Sequence, residues 1–211
     1  MFIGLVALVA LSFGADAPVQ AWIAAHQDAT WIAVARAISR YGAWQWLMLG
    51  CAICAAILLL RKKRAALWFL AFAMISSSVA GLLADTTRGL TGRTRPNAEL
   101  DAGWFGARHD GRWLLGDARY HAFPSGHTAA ATALIAPLLL ARRRAGWLLL
   151  PLPVAIAASR VYIGAHHFSD VVAGAALGIG VAIFLGRFYS SNVPVARNPS
   201  ALTSKTSRLT G

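Results

Sequence analysis

The chain has 211 residues, 57% of them hydrophobic and 13% charged, with a formal net charge of +12. A composition this apolar excludes an ordinary soluble domain and points to a membrane protein of one domain, or two at most. The charge does not mark a nucleic-acid binder, because the basic residues come in short bursts between apolar runs rather than along one interleaved stripe.

Residues 1–14 are apolar but at 1.5 Å per residue cover only about 21 Å. They are a first span with a frayed end or a signal sequence; the lack of a basic n-region and Pro18 after the ADA at 15–17 argue against cleavage. Residues 18–42 mix Trp22, Ile23, Trp31, Ile32 and Ile38 with His26, Asp28, Arg36 and Arg40. This predicts an interfacial helical segment after the first span, anchored by tryptophans, with His26 as a surface residue. Further spans are expected over 43–60, 65–84, 125–141, 146–162 and 169–187, the last rich in glycine and alanine for close helix approach. Cys51 and Cys54 form a C-x2-C inside the second span, and two small residues on one helix face account for them better than a redox or metal pair. Residues 97–123 form a polar loop of functional length. Residues 1–189 thus make one membrane-embedded domain, followed by a disordered basic tail over 190–211.

Charge sets an orientation. RKKR at 61–64, RRR at 142–144 and the tail with Arg187, Arg197, Lys205 and Arg208 share one side if six spans alternate, and the positive-inside rule makes that side cytoplasmic. Arg88, Arg93, Arg95 and Arg160 then lie outside, against the rule's bias; a demand for anion binding explains them.

Three polar stretches interrupt the apolar pattern on that outer side: RGLTGRTRP at 88–96, PSGH at 124–127 and SRVYIGAHHFSD at 159–170. Ionisable groups between membrane spans are costly to hold and usually functional. A carboxylate four residues after a histidine can hold one imidazole nitrogen and leave the other to attack or accept a proton. Arg88, Arg95 and Arg160 supply planar forks for an anion. Ser125 is placed to cap the helix opening at Gly126, whose amide can point at a phosphate oxygen. Metal is the competing chemistry, since His121, His127, His166, His167 and Asp170 can gather round zinc; several arginines in one pocket would repel a dication. Spacing alone does not tell His166 from His127 as a nucleophile.

Read together, Arg-x6-Arg-Pro, Pro-Ser-Gly-His and Ser-Arg-x5-His-x3-Asp resemble, in order and internal spacing, the three-part signature of the type 2 phosphatidic acid phosphatase superfamily. That superfamily also holds vanadium haloperoxidases and bacterial acid phosphatases. Its first motif usually begins with lysine, where this chain has Arg88, which keeps the charge but changes reach. The resemblance implies an all-α bundle of six transmembrane helices. It implies a phosphate pocket of Arg88, Arg95, Ser125, Gly126 and Arg160. It makes His166 the nucleophile that forms a phosphohistidine, Asp170 the group that orients it, and His127 the acid that protonates the leaving alcohol and then activates water. No metal and no cofactor are implied. The expected protein is a multi-pass phosphatase of the bacterial cytoplasmic membrane. Its expected substrate is a lipid phosphate or pyrophosphate, taken at the outer face: undecaprenyl pyrophosphate, phosphatidylglycerol phosphate, phosphatidate or lipid A phosphate. The alternatives are a lipid phosphotransferase on the same site and a catalytically silent membrane scaffold, against which the intact His166, Asp170 and His127 set argues.

Overall fold

The computed structural model describes residues 2–192. Helix α1 (Phe2–Ser12) passes through one 3-10 turn at Phe13–Ala15 into α2 (Asp16–Ala25). Together they make an apolar segment, Ile3–Ala25, long enough to cross a membrane. Pro18 does not stop it, because it sits in the first turn of α2, where a missing N–H forfeits little. The expected interfacial stretch 18–42 is therefore divided. Its first part belongs to the first helical segment, and only α3 (Ala29–Tyr41) stands apart.

Asp28 starts α3 by accepting hydrogen bonds from the N–H groups of Thr30 at 2.8 Å and Trp31 at 3.2 Å. The Tyr162 hydroxyl pins this turn, accepting from the Asp28 N–H and donating to the His26 carbonyl. One face of α3 buries Ala35 and Ser39, while Trp31 stays exposed. A bend of 58° leads into α4 (Trp44–Leu60). Cys51 is buried there and Cys54 exposed, so the two face different surroundings.

Helix α5 (Arg64–Thr91) ends at Gly92, whose φ of 59° is left-handed. A Cβ there would sit 2.0 Å from the Gly106 carbonyl oxygen, so the chain reversal into the loop requires glycine. The loop carries a short antiparallel hairpin, β1 (Arg108–His109) with β2 (Arg112–Trp113). Helix α6 (Gly126–Leu140) follows, then α7 (Arg144–Leu149), α8 (Pro151–Tyr162) and α9 (Phe168–Asn192).

The core is built on α6, which buries Thr128 to Ala131 and Ala133 to Pro137 between α4, α5, α8 and α9. Small side chains permit this. A Cβ added at Gly174 would lie 2.5 Å from the Ser125 carbonyl oxygen, and one at Gly178 would lie 2.6 Å from that of Ala129. Helices α6 and α9 are thus in near backbone contact. Ser77 of α5 donates to the Ala130 carbonyl at 2.9 Å, tying α5 to the same axis.

Ile3–Ala25, Arg64–Thr91, Arg144–Tyr162 and Phe168–Tyr189 are long and apolar enough to cross a membrane, and the bent pair α3–α4 makes a fifth if counted as one span. The stretch expected as the fourth span is the shorter α6, whose 15 residues rise about 22 Å inside a sleeve of other helices. Trp68, Leu82, Trp147 and Leu148 turn outward from the bundle, as a lipid surround favours. Helix α9 takes in the first three residues of the expected tail, and Arg197, Lys205 and Arg208 lie outside the described residues.

Candidate active site

All three polar stretches meet at one end of the bundle. Arg88 lies in the last turn of α5, Ser125 and Gly126 open α6, Arg160 lies near the end of α8, and His166 and Asp170 flank the start of α9. The basic turns at 61–64 and 142–144 sit at the opposite ends of α5 and α6. The Ser125 N–H donates to the Asp170 carbonyl at 3.0 Å, so the second and third stretches are joined directly through backbone.

His166 and Asp170 are both fully buried. The His166 Nδ1 lies 2.7 Å from the Ala122 carbonyl oxygen. A carbonyl only accepts, so Nδ1 carries the proton and Nε2 keeps its lone pair. Nε2 is buried with no hydrogen-bond partner among the described residues. Burial pushes the imidazole pKa down to about 4, helped by the charges of Arg160 and Arg95 and opposed by the carboxylate of Asp170, so the ring is neutral at physiological pH.

The expected hold of Asp170 on His166 takes a different form. Its nearest oxygen is 3.7 Å from Nδ1, an ion-pair distance rather than a hydrogen bond. The proton on Nδ1 is directed by Ala122, and Asp170 supplies negative charge beside the ring. Its oxygens are committed elsewhere: Oδ2 accepts from the His167 N–H at 2.7 Å and Oδ1 from Arg93 Nη1 at 2.5 Å.

Arg88, Arg95, Arg160 and His166 all lie close enough to His127 to act on its charge. Arg88 is fixed by a short ion pair with Asp85. Arg95 reaches the His121 carbonyl, and Arg160 donates to the Ser39 hydroxyl of α3 at 2.6 Å. The Nε atoms of all three guanidiniums are buried without a partner among the described residues. Burial and the neighbouring Arg88 charge lower the Arg95 pKa. Like charges held together in a buried pocket, with donors left over, suit an anion.

Ser125 occupies the N-cap position of α6, but its hydroxyl does not cap the first turn; it accepts from Thr128 Oγ1 at 3.1 Å. The buried glycine beside it leaves room for the Asp85 and Arg88 side chains to close over the helix start. A Cβ on Gly126 would come within 3.0 Å of Asp85 Oδ1 and 3.3 Å of Arg88 Nη1. Among the described residues no three His, Cys, Asp or Glu side chains gather closely enough to hold a metal ion, and His121 turns its Nε2 to the Leu114 carbonyl.

Arg93 stands apart from Arg88, Arg95 and Arg160. It is buried between two carboxylates, Nη2 on Asp16 at 2.7 Å and Nη1 on Asp170 at 2.5 Å, with Phe13 and Trp104 packed on its guanidinium. Removing one partner from such a buried pair costs about 3–5 kcal/mol, so Arg93 holds the site together rather than binding within it. His167 is structural too. It donates from Nε2 to the Thr94 carbonyl at 3.1 Å and accepts at Nδ1 from Gln20 at 3.2 Å. Asp16 and Ser39 escape sequence reasoning because they lie outside the motifs, Ala122 because it acts through its backbone, and Ser169 because it fills an unspecified position of the third motif. For Asp16 one signal was present, a carboxylate within an otherwise apolar segment.

Comparison with known proteins gives the family. The family description "PAP2 superfamily" matches residues 65–194. The chain is 31% identical over 192 residues to the lipid A 1-phosphatase of Rhizobium etli, covering 83% of this chain and 77% of that protein. It is 35% identical over 156 residues to the decaprenylphosphoryl-5-phosphoribose phosphatase of Mycobacterium tuberculosis, covering 71% and 76%. In fold it is similar to the transmembrane PAP2-type phosphatidylglycerolphosphate phosphatase of Bacillus subtilis. The TM-score is 0.61 at 20% identity, over 92% of this chain and 96% of that one. The membrane-type helices, the three converging motifs and these likenesses together establish that the chain belongs to the PAP2 superfamily, among its integral membrane lipid phosphatases.

Proposed function

We propose that the protein hydrolyses a lipid phosphate or pyrophosphate monoester through a phosphohistidine at His166, without a metal ion. One observation carries the reading: the unpartnered Nε2 of a neutral, buried His166 shares a pocket with three arginines whose Nε donors are likewise unpartnered. Arg88, Arg95, Arg160 and the Gly126 amide neutralise and orient the phosphoryl oxygens. The Nε2 lone pair attacks phosphorus, the bond from phosphorus to the leaving oxygen breaks, and His127, which takes up a proton when the anionic phosphate offsets the arginine charges, gives that proton to the leaving oxygen. Asp170, 3.7 Å from Nδ1, offsets the positive charge that the ring gains. Water then attacks the phosphohistidine, His127 takes its proton, inorganic phosphate leaves and the neutral ring returns.

The substrate reading rests on position. The pocket lies at helix ends, where a head group reaches His166 while its chain stays among lipids, each buried CH2 contributing about 0.8 kcal/mol. Relatives named for lipid A 1-phosphate and decaprenyl phosphosugar substrates keep the outer-leaflet lipids as candidates: lipid A phosphate, undecaprenyl pyrophosphate, phosphatidylglycerol phosphate and phosphatidate. We read α6 as a short sixth span; the positive-inside rule then supports a cytoplasmic side for the basic turns and a periplasmic or exterior side for the pocket. The test is phosphate release by purified protein from each of these lipids, in mixed micelles with excess chelator, alongside a soluble phosphate ester. At least one lipid should turn over, faster than the soluble ester and undiminished by chelator. No release from any lipid, or release that depends on one added divalent ion, would overturn the reading.

A further inference from the structure

Asp16 belongs to none of the motifs, yet its carboxylate reaches the centre of the site. Oδ1 accepts from the Ser169 N–H at 2.7 Å, and Oδ2 accepts from the Ser169 hydroxyl at 2.6 Å and from Arg93 at 2.7 Å. The same Arg93 donates to Ser169 Oγ at 2.7 Å and to Asp170. Asp16 therefore acts from another helix as the acceptor for the first turn of α9, where free N–H groups need partners. It also completes an alternating row, Asp16 to Arg93 to Asp170, that ends beside the His166 ring.

From this we infer that Asp16 is a positioning residue for the proposed reaction, which fixes Asp170 and hence the charge facing the His166 ring. The row is asymmetric in effect. Without Asp16, Arg93 has a single carboxylate partner and is free to draw Asp170 further from the imidazole, and the first turn of α9 loses its acceptor. Among the described residues no hydrogen bond or ion pair joins the row to Arg88, Arg95 or Arg160, whose partners are Asp85, the His121 carbonyl and Ser39, and the one link is the Asp170 charge acting on Arg95. Removing Asp16 should weaken what happens in the transition state and leave ground-state anion binding alone.

The inference rests on the phosphohistidine reading, and the experiment separates the two. Asp16→Asn, close in shape but uncharged, should lower kcat on the order of 10- to 100-fold with KM and the inhibition constant for inorganic phosphate within about twofold. Inhibition by vanadate, which takes the five-coordinate shape of phosphorus in transfer, should weaken in step with kcat. Ser169→Ala keeps both charges and removes only the hydroxyl link, so it should show the same split with a smaller fall; it carries the test alone if Asp16→Asn does not yield folded protein. Wild-type kcat in a folded variant overturns the inference, and so does a parallel loss of phosphate and vanadate binding, which would mark general loosening. His166→Ala is the reference: if it stays active the underlying reading fails, whereas an inert His166→Ala beside a fully active Asp16→Asn sinks only the role of Asp16.

Discussion

The closeness of α6 and α9 gives a direct test of how packing sets the chemistry. In Gly174→Ala the new methyl would sit 2.5 Å from the Ser125 carbonyl oxygen where ordinary contact begins at 3.4 Å, so the helices must part there by about 0.9 Å. Alanine is worth about 1 kcal/mol more than glycine inside a helix, but overpacking a tight core costs about 1–3 kcal/mol, so a net loss of stability is expected. The displacement falls one turn after Asp170 and on the residue whose N–H bonds the Asp170 carbonyl. A misplacement near 1 Å at a catalytic group lowers rate on the order of 100-fold. Gly178→Ala makes a comparable clash with the Ala129 carbonyl, at 2.6 Å, one turn further from the site, and should lose similar stability with less activity. Gly186→Ala meets only Phe72 at 3.8 Å and should be neutral or slightly stabilising. Thermal unfolding in detergent and kcat/KM on a lipid phosphate read both effects. If Gly174→Ala matches Gly186→Ala in stability and activity, the helices are not held in backbone contact and the reasoning is wrong.

Two further predictions concern the arginines and the orientation. Ser39→Ala removes the buried acceptor of Arg160, and losing the partner of a charged donor costs about 1.5–3 kcal/mol, so kcat/KM should fall roughly 10- to 100-fold with the fold retained; an unchanged kcat/KM would show that Arg160 needs no such hold. Single cysteines in the loop 97–123, in a background lacking Cys51 and Cys54, should react with an impermeant thiol reagent in intact cells or spheroplasts while those at 62 or 143 do not, and the reverse pattern would turn the pocket to the cytoplasm.

Much of the site was legible because its chemistry is local in sequence. His166 and Asp170 are one helical turn apart, Ser125 and Gly126 open a helix, and three arginines stand where charge is costly, so residue type and spacing mark the groups that meet, though not which histidine attacks. The proton-directing partner of His166 was not legible, because Ala122 contributes a carbonyl that any residue would carry. Arg93 looked like its neighbours; only its place between Asp16 and Asp170 separates it from Arg88 and Arg95. Asp16 itself was read as part of a cleavage-like tripeptide, since nothing near it in the chain reveals a partner on α9. In the fold, apolar runs locate the helices, but the first apolar run ends at Gly14 while the helical segment continues to Ala25. Pro18 lies in the first turn of α2, which tolerates it, so the helical segment continues to Ala25. Hydropathy also could not distinguish α6, sheathed by other helices, from the lipid-facing segments around it.

The central claim is that His166 Nε2 takes the phosphoryl group. Its most direct measurement is rapid acid-free quenching of the purified protein during turnover of a lipid substrate labelled with radioactive phosphorus, followed by peptide mapping. The account predicts an acid-labile, alkali-stable phosphate on His166 that forms and decays with the reaction and is absent, together with activity, in folded His166→Ala. An active enzyme that never carries phosphate on this histidine, or a His166→Ala protein that still turns over lipid, would contradict it.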